Sequence, residues 1–317
     1  MADRFPTAEE RWPRQGEVLK MSDRIFCVGN GQSRRGFDLE SLRPHGRIYG
    51  CNALYRDFVP DVLISVDHAT MHEIYHTGYA WENEMWCRDW TKVPIHMYDR
   101  MLQGGIDKLE AESLLRDNDI LKCNERDNTT NQFVMHGSNL QGIATIIKKN
   151  KDKVKEYINH NKIYVSFIKD NDKSHTLTEC MKGKHLADVL KETDRVPKDL
   201  GWSAGPTAGY IACARENPKE IYMIGHDLYS QDHKVNNIYA GTKHYVTKEH
   251  GPTPCINWIN QWAYLFKEFR NVQFYKVNKD LASRDKTNQP ITEWAGGLIH
   301  NLHYINYQDM LDKLLKV

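Results

Sequence analysis

The feature that most constrains this chain is a four-residue apolar run, Ile25-Phe26-Cys27-Val28, that stops at Gly29-Asn30-Gly31. Short, apolar on both faces and closed by glycine, it reads as a strand covered on two sides, and such strands belong to parallel sheets flanked by helices. Similar runs recur at 47–52, at 61–67 after Pro60, at 162–168, at 220–225 and at 272–277, with a further candidate at 94–98. Helical spacings lie between them. Ser203-Ala204-Gly205-Pro206 opens one helix through Arg215, with Ser203 as candidate N-cap and a proline placed where no helical hydrogen bond is lost. Apolar residues at 255, 259, 262, 266 and 269 draw a second stripe. Others fall at 105–121, 140–158 and 308–315.

Strands alternating with helices predict an α/β, Rossmann-like sandwich around a mostly parallel central sheet. The expected organisation is an N-terminal extension over 1–21, one domain over 22–280, and a C-terminal tail and helix over 281–317. Within that domain a helical elaboration is expected at about 100–160. A polar stretch rich in Asn, His, Lys and Gly at about 229–254 is long enough to be a functional loop, a lid.

Composition narrows the function. Of 317 residues, 43 are basic and 42 acidic, a net charge of +1 that excludes a generally polycationic coat for nucleic acid. The run 148–153 (KKNKDK) is most simply a solvated helix face. No apolar run approaches the ~20 residues of a transmembrane helix. The polar N-terminus lacks the apolar core of a secretory signal, so a soluble, cytoplasmic protein is expected. The 7 cysteines are scattered singly, which predicts buried thiols rather than disulfides or a zinc knuckle.

The turn after the first strand carries the chemistry. Glycines let a backbone approach a ligand, and amides beyond them can face an anion. The dinucleotide fingerprint needs a third glycine where Arg34 stands, and an acidic residue where the second strand ends in Asn52, so a nicotinamide enzyme is disfavoured. A tight structural turn explains a lone G-x-G as well. Its company argues for more: Asn30, Asn52 and Asp67 each end a predicted strand, Ser203-Ala204-Gly205 opens a helix, and His226-Asp227 follows another strand. Amides donate and accept, which suits a base edge or ribose hydroxyls. Polar groups converging beyond strand ends form the expected layout of a nucleotide pocket.

These segments resemble a known family. Val28-Gly29-Asn30-Gly31-Gln32-Ser33 and 49–55 (YGCNALY) resemble the "GNGPS" and "CN-x-x-Y" segments of bacterial sialyltransferases of the Campylobacter lipooligosaccharide type. They are also similar to the related motility-associated flagellin glycosyltransferases, including Pro60-Asp61 ahead of a strand ending in Asp67. Ser203-Ala204-Gly205 resembles the family's "(T/S)SG" turn, and Lys219 to Tyr229 (KEIYMIGHDLY) its "KEIYLxGxDxY" strand. The likeness spans roughly 22–70 and 200–277.

The resemblance implies a GT-A-like variant fold, a CMP-activated, sialic-acid-like donor, and inverting transfer without a metal or other cofactor. It implies that Gly29, Asn30, Gly31 and Ser33 hold phosphate and ribose, that Asn52 binds nucleotide or donor sugar, and that Ser203 and Gly205 contact the nucleotide. Tyr229 would donate to the leaving phosphate, with Tyr239 as second tyrosine. The general base would be His250, with His244 and then His233 as alternatives. Gln32 replaces the family's proline. Asp67 stands in place of a donor-binding asparagine, where a carboxylate would repel an acidic sugar, so the donor need not be sialic acid.

A histidine near its ordinary pKa of ~6.5 suits general-base work, and tyrosine hydroxyls can stabilise a leaving phosphate where no metal does. Two other classes remain open. Asp170-Asn171-Asp172 after a predicted strand is a D-x-D of the kind that metal-dependent sugar-nucleotide enzymes or nucleotide hydrolases use; Asp117-Asn118-Asp119 is a second. A non-catalytic nucleotide- or glycan-binding module is the other. The acceptor, whether glycan, protein or modified DNA base, and the oligomeric state are left open.

Overall fold

The computed structural model describes residues 23–87, 91–94, 132–136, 164–168, 173–176, 202–230, 232–278, 294 and 299–316. In chain order the strands are β1 (Arg24–Val28), β2 (Arg47–Cys51), β3 (Val62–Ser65), β4 (Met85–Cys87), β5 (Thr91–Pro94), β6 (Gln132–His136), β7 (Tyr164–Ile168), β8 (Ser174–Thr176), β9 (Glu220–Ile224), β10 (Gln273–Asn278) and β11 (Leu302–Asn306). The α-helices are α1 (His68–His76), α2 (Tyr79–Glu82), α3 (Ala204–Glu216), α4 (Ile256–Glu268) and α5 (Tyr307–Leu315). The chain divides into two compact units, 1–66 with 177–317, and 67–176.

The first unit is α/β and Rossmann-like. Its six strands run parallel in the order β11-β10-β9-β1-β2-β3. Numbered by appearance within this unit, that is 3-2-1-4-5-6 read from the other edge, the doubly wound order whose direction reverses between the first and fourth strands. The apolar runs end up where their composition requires. Ile25, Phe26, Cys27 and Val28 on β1, and Ile221 to Ile224 on β9, are wholly buried in the middle of the sheet.

Alternate side chains serve opposite layers. Phe26, Val28, Ile48, Tyr222 and Ile224 join Leu39, Leu42, Leu54 and Phe58 in one cluster, closed by Met310 and Leu314 of α5. Parallel register stacks rings across four strands, Phe26 on Tyr222 at 5.3 Å, Tyr222 on Tyr275 at 4.9 Å and Tyr275 on His303 at 5.0 Å. That is the spacing of neighbouring strands. On the opposite face α3 packs against β1, β2 and β3, and α4 against α3. Trp262, Leu265 and Phe266 of α4 are buried there.

β11 was not expected from the sequence. Its residues are all half-buried, so Leu302–Asn306 lacks the doubly apolar signature of a central strand. It is an edge strand whose position depends on pairing with β10.

In the second unit β4 pairs in parallel with β8, and β5, β6 and β7 form an antiparallel sheet against whose β7 helix α1 lies. Trp86, from the aromatic-rich stretch 81–90, is buried and stacks on His175 at 4.8 Å. The helical spacings at 105–121 and 140–158, the basic run at 148–153, and Asp117, Asp119, Asp170 and Asp172 lie outside the described residues, as do Cys123 and Cys180. Of the remaining cysteines, Cys27, Cys51, Cys87 and Cys213 are buried free thiols and Cys255 a half-buried one. No helix among the described residues is long and apolar enough to cross a membrane.

Candidate functional site

A crevice opens in the first unit where the strand order reverses, beyond the carboxyl ends of β1 and β9. Two backbone bonds close the seam between them: Gly29 N donates to the Ile224 carbonyl at 2.8 Å and Gly31 N to the Gly225 carbonyl at 2.8 Å. A hollow of about 130 Å³ sits on this seam. Gly29, Asn30 and Gly31 after β1, Asn52 after β2, Ser203 and Gly205 at the start of α3, and His226 and Asp227 after β9 all line it. Four separate chain segments therefore converge as the layout of polar residues at strand ends anticipates. Cys51, Leu228, Asn236, Asn237, Trp258 and Trp262 complete the wall.

The turn after β1 is not a dinucleotide turn. No α-helix follows it; Gln32–Arg34 form a single 3-10 turn, and Arg34, at the position of the missing third glycine, folds inward and is buried. Its guanidinium donates to the Gly29 carbonyl at 2.7 Å, to Asn30 Oδ1 at 3.3 Å and to the Tyr239 hydroxyl at 3.1 Å. Asn30 in turn donates through Nδ2 to the Cys51 carbonyl at 3.0 Å. These bonds fix the amide's orientation, and an amide with two donors and two acceptor lone pairs retains one of each for a ligand. Gly31 leaves room for the opposite turn: a Cβ there would overlap the Asp227 side chain unless that side chain moved.

The helix end that faces the hollow belongs to α3. Ser203 occupies the N-cap position but does not cap with its side chain. Instead its N–H and its hydroxyl both donate to Oε1 of the buried Gln261, each at 3.0 Å. The first-turn N–H groups of Ala204 and Gly205 have no partner inside the helix, as for any helix start. They carry the positive end of the helix dipole to the hollow wall. Gln261 was invisible to motif reading because it sits mid-helix, 58 residues further along the chain from its partner.

The polar stretch 229–254 is part docked and part exposed. Ile238 N donates to the Asn30 carbonyl at 2.9 Å, Gln32 N to Asn236 Oδ1 at 2.8 Å, and Gln32 Nε2 to the Asn237 carbonyl at 3.1 Å. Arg56 holds Thr242 at 2.8 Å and the Lys243 carbonyl at 3.0 Å. Residues 246–254, by contrast, are exposed throughout. A second hollow of about 430 Å³ continues from the first, sharing Asp227, Leu228, Asn236, Asn237 and Trp258, and adding Tyr229, Val235 and 252–255.

The sequence candidates separate accordingly. Gly29, Asn30, Gly31, Asn52, Ser203 and Gly205 line the first hollow and Tyr229 the second. Asn52 has φ +47° and accepts from Val66 N at 3.3 Å. Ser33 lines neither; its N–H donates to Asp227 Oδ2 at 2.7 Å. Tyr239 is buried behind the turn, where its hydroxyl donates to Asp57 Oδ2 at 2.6 Å; burial, with Asp57 alongside, raises its pKa. His250 is exposed, and its carbonyl accepts from Val235 N at 2.8 Å. His244 and His233 both hold positive φ, and His233 is exposed. Asp67 belongs to the second unit, exposed just ahead of α1. Among the described residues no group of three His, Cys, Asp or Glu side chains is placed to hold a metal ion.

The chain is similar to a solved sialyltransferase, CST-II, in complex with CMP: 15% identical, 81% of each chain covered, TM-score 0.38. No family model matches the chain, and no curated protein matches its sequence.

His226 was noted in the sequence only as following a strand. It forms part of the hollow's wall, 7% exposed, with its ring edge-on to Trp262 at 5.1 Å and 81°. Burial, reinforced by the nearby Lys276 charge and only partly opposed by the Cys27 carbonyl, pushes its pKa down to about 3, so the ring is neutral at physiological pH. Burial also pushes the Cys51 thiol up to about 12, which keeps it protonated and unreactive.

Proposed function

We propose that this chain is a glycosyltransferase that binds a nucleotide-activated sugar, CMP-linked, in the hollow at the β1/β9 seam and moves the sugar to an acceptor hydroxyl. One observation carries the reading: Asn30, Asn52, Ser203 and Gly205, drawn from three separate stretches of sequence, share one concave site at the switch point of the sheet. Within it the Ala204 and Gly205 N–H groups suit the phosphate, as helix starts do. Asn30 and Asn52 suit base or ribose. The larger hollow alongside, with Tyr229 and Trp258 in its wall, suits the transferred sugar and the acceptor.

The chemistry follows from residue types. The acceptor oxygen attacks the anomeric carbon from the face opposite the phosphate, the bond to phosphate breaks, and configuration inverts. His250 takes the acceptor proton. Its Nδ1 lies 2.8 Å from the Gly251 carbonyl, which can only accept, so Nδ1 carries the hydrogen and Nε2 keeps the basic lone pair. Tyr229 donates a hydrogen bond to the departing phosphate. The exposed segment 246–254 would close to bring His250 in and exclude water, which competes as acceptor.

A thermal-shift screen of the full chain with CMP, UDP, GDP and NAD, with and without chelator, tests the reading. A ligand at one hundred times its Kd adds about 2.7 kcal/mol to stability, so the active nucleotide stands out. CMP should raise Tm whether or not chelator is present. His250→Ala should abolish sugar transfer and leave that shift intact. A shift with NAD alone, or with none of the four, refutes the assignment.

A further inference from the structure

His226 closes one side of the first hollow in a way that fixes which hydrogen-bonding role it can play. Nε2 lies 3.1 Å from the backbone carbonyl of Cys27. A carbonyl oxygen accepts and never donates, so Nε2 carries the ring hydrogen and Nδ1 presents a bare lone pair. Among the described residues no donor is hydrogen-bonded to Nδ1. The Nδ1–Cε1 edge of the ring is crowded against the start of α3: a Cβ on Gly205 would lie 2.6 Å from Cε1 and 2.8 Å from Nδ1. Glycine at 205 therefore keeps this edge uncovered at the wall of the hollow, and Trp262 holds the ring from the side.

The chemistry of the neighbouring wall agrees. Asp227, the next residue, lines the same hollow and offers carboxylate oxygens, one already accepting from Ser33 N. The end of β9 thus presents two side-chain acceptors to the hollow, beside the N–H groups at the start of α3. A hydroxyl or an amino group is attracted to such acceptors.

We propose that His226 Nδ1 accepts a hydrogen bond from a neutral donor on the bound nucleotide, a ribose O–H or an N–H of the base, and so is a specificity-determining residue of the hollow. The inference rests on the nucleotide-binding reading above and deepens it by naming the ligand group and its partner.

Full-length chain carrying ¹⁵N-histidine tests it, with the His226 ring signals assigned by their loss in His226→Gln. CMP, 2′-deoxy-CMP, 3′-deoxy-CMP and UMP are titrated by NMR and by calorimetry. The free ring should show the Nε2–H form, and CMP should move the bare Nδ1 signal towards its hydrogen-bonded position. One analogue should leave that signal unmoved and bind about fivefold or more weakly, as loss of one neutral hydrogen bond does. Either deoxy analogue failing assigns the hydroxyl it lacks; UMP failing assigns the base amine. Against His226→Leu, that analogue and CMP should bind equally. CMP binding with an unmoved Nδ1 signal, or a ring protonated at Nδ1, overturns the role of His226 and leaves the nucleotide reading standing. No binding by any nucleotide overturns both. The ring readouts come from the unsubstituted chain, and His226→Leu assigns the same signals by the same loss, so one misfolded variant does not spoil the test.

Discussion

The N–H of Ser33 donates to the carboxylate of Asp227 across 2.7 Å, tying the turn after β1 to the turn after β9 over 194 positions of sequence. The floor of the hollow is therefore held together by a charge-assisted bond as well as by the sheet ladder.

Replacing Asp227 measures that tie. A hydrogen bond to a charged group contributes roughly 1.5–3 kcal/mol. Asp227→Ala should lower the unfolding free energy by about that amount in urea melts, and Asp227→Asn, which keeps an acceptor oxygen, by clearly less. Equal losses would mean that packing rather than the bond holds the two turns.

Gly205→Ala sets two effects against each other. Helix propensity alone favours alanine by about 1 kcal/mol. The new methyl would, however, meet the His226 ring at 2.6 Å, and overpacking a buried contact costs about 1–3 kcal/mol. The variant should be less stable than the parent and should lose nucleotide binding. A gain in Tm would show that the ring yields easily.

The two candidate tyrosines should part company. The Tyr239 hydroxyl accepts from Arg34 and donates to Asp57, so Tyr239→Phe removes both bonds and should cost roughly 1–2 kcal/mol of stability. Tyr229→Phe should lower kcat about 100-fold while CMP binding is retained, the effect of removing one preorganised donor to a leaving group. Steady-state kinetics beside thermal melts on both variants distinguish the two patterns.

Acid should loosen this protein through His226. The folded state holds the ring neutral down to about pH 3, whereas in the unfolded chain it gains a proton below about pH 6.5. The unfolded state then binds more protons, and stability falls with pH across that window by up to roughly 1 kcal/mol per unit. His226→Leu should have a flatter profile between these limits when unfolding is followed in urea at several pH values.

Much of this was legible in the chain, for physical reasons that differ from element to element. Ile25-Phe26-Cys27-Val28 and Ile221 to Ile224 announce themselves because a strand at the middle of a doubly wound sheet must be apolar on both faces. Asn30, Asn52 and Ser203 could be placed together because strand ends and helix starts on one edge of such a sheet share a crevice. What escaped was set by tertiary context. Leu302–Asn306 is a strand because β10 offers it an edge, and Gln261 matters because α4 lays it under Ser203. Asn236 and Asn237 reach the hollow because Gln32 and Asn30 pull the loop onto the turn. His226 looks from sequence like any residue after a strand; only the Cys27 carbonyl and the bare Gly205 give its ring a direction.

The adjacency of β1 and β9 also dictates an order of events during synthesis. Arg24 faces Glu220 in the register of that pair, so nearly two hundred residues must leave the ribosome before the first strand meets its neighbour. Until then β1 has a partner on only one side, and contacts this remote in sequence form slowly. A nascent chain arrested before β9 emerges should carry no ligand-competent fold and should offer a fully apolar strand to chaperones.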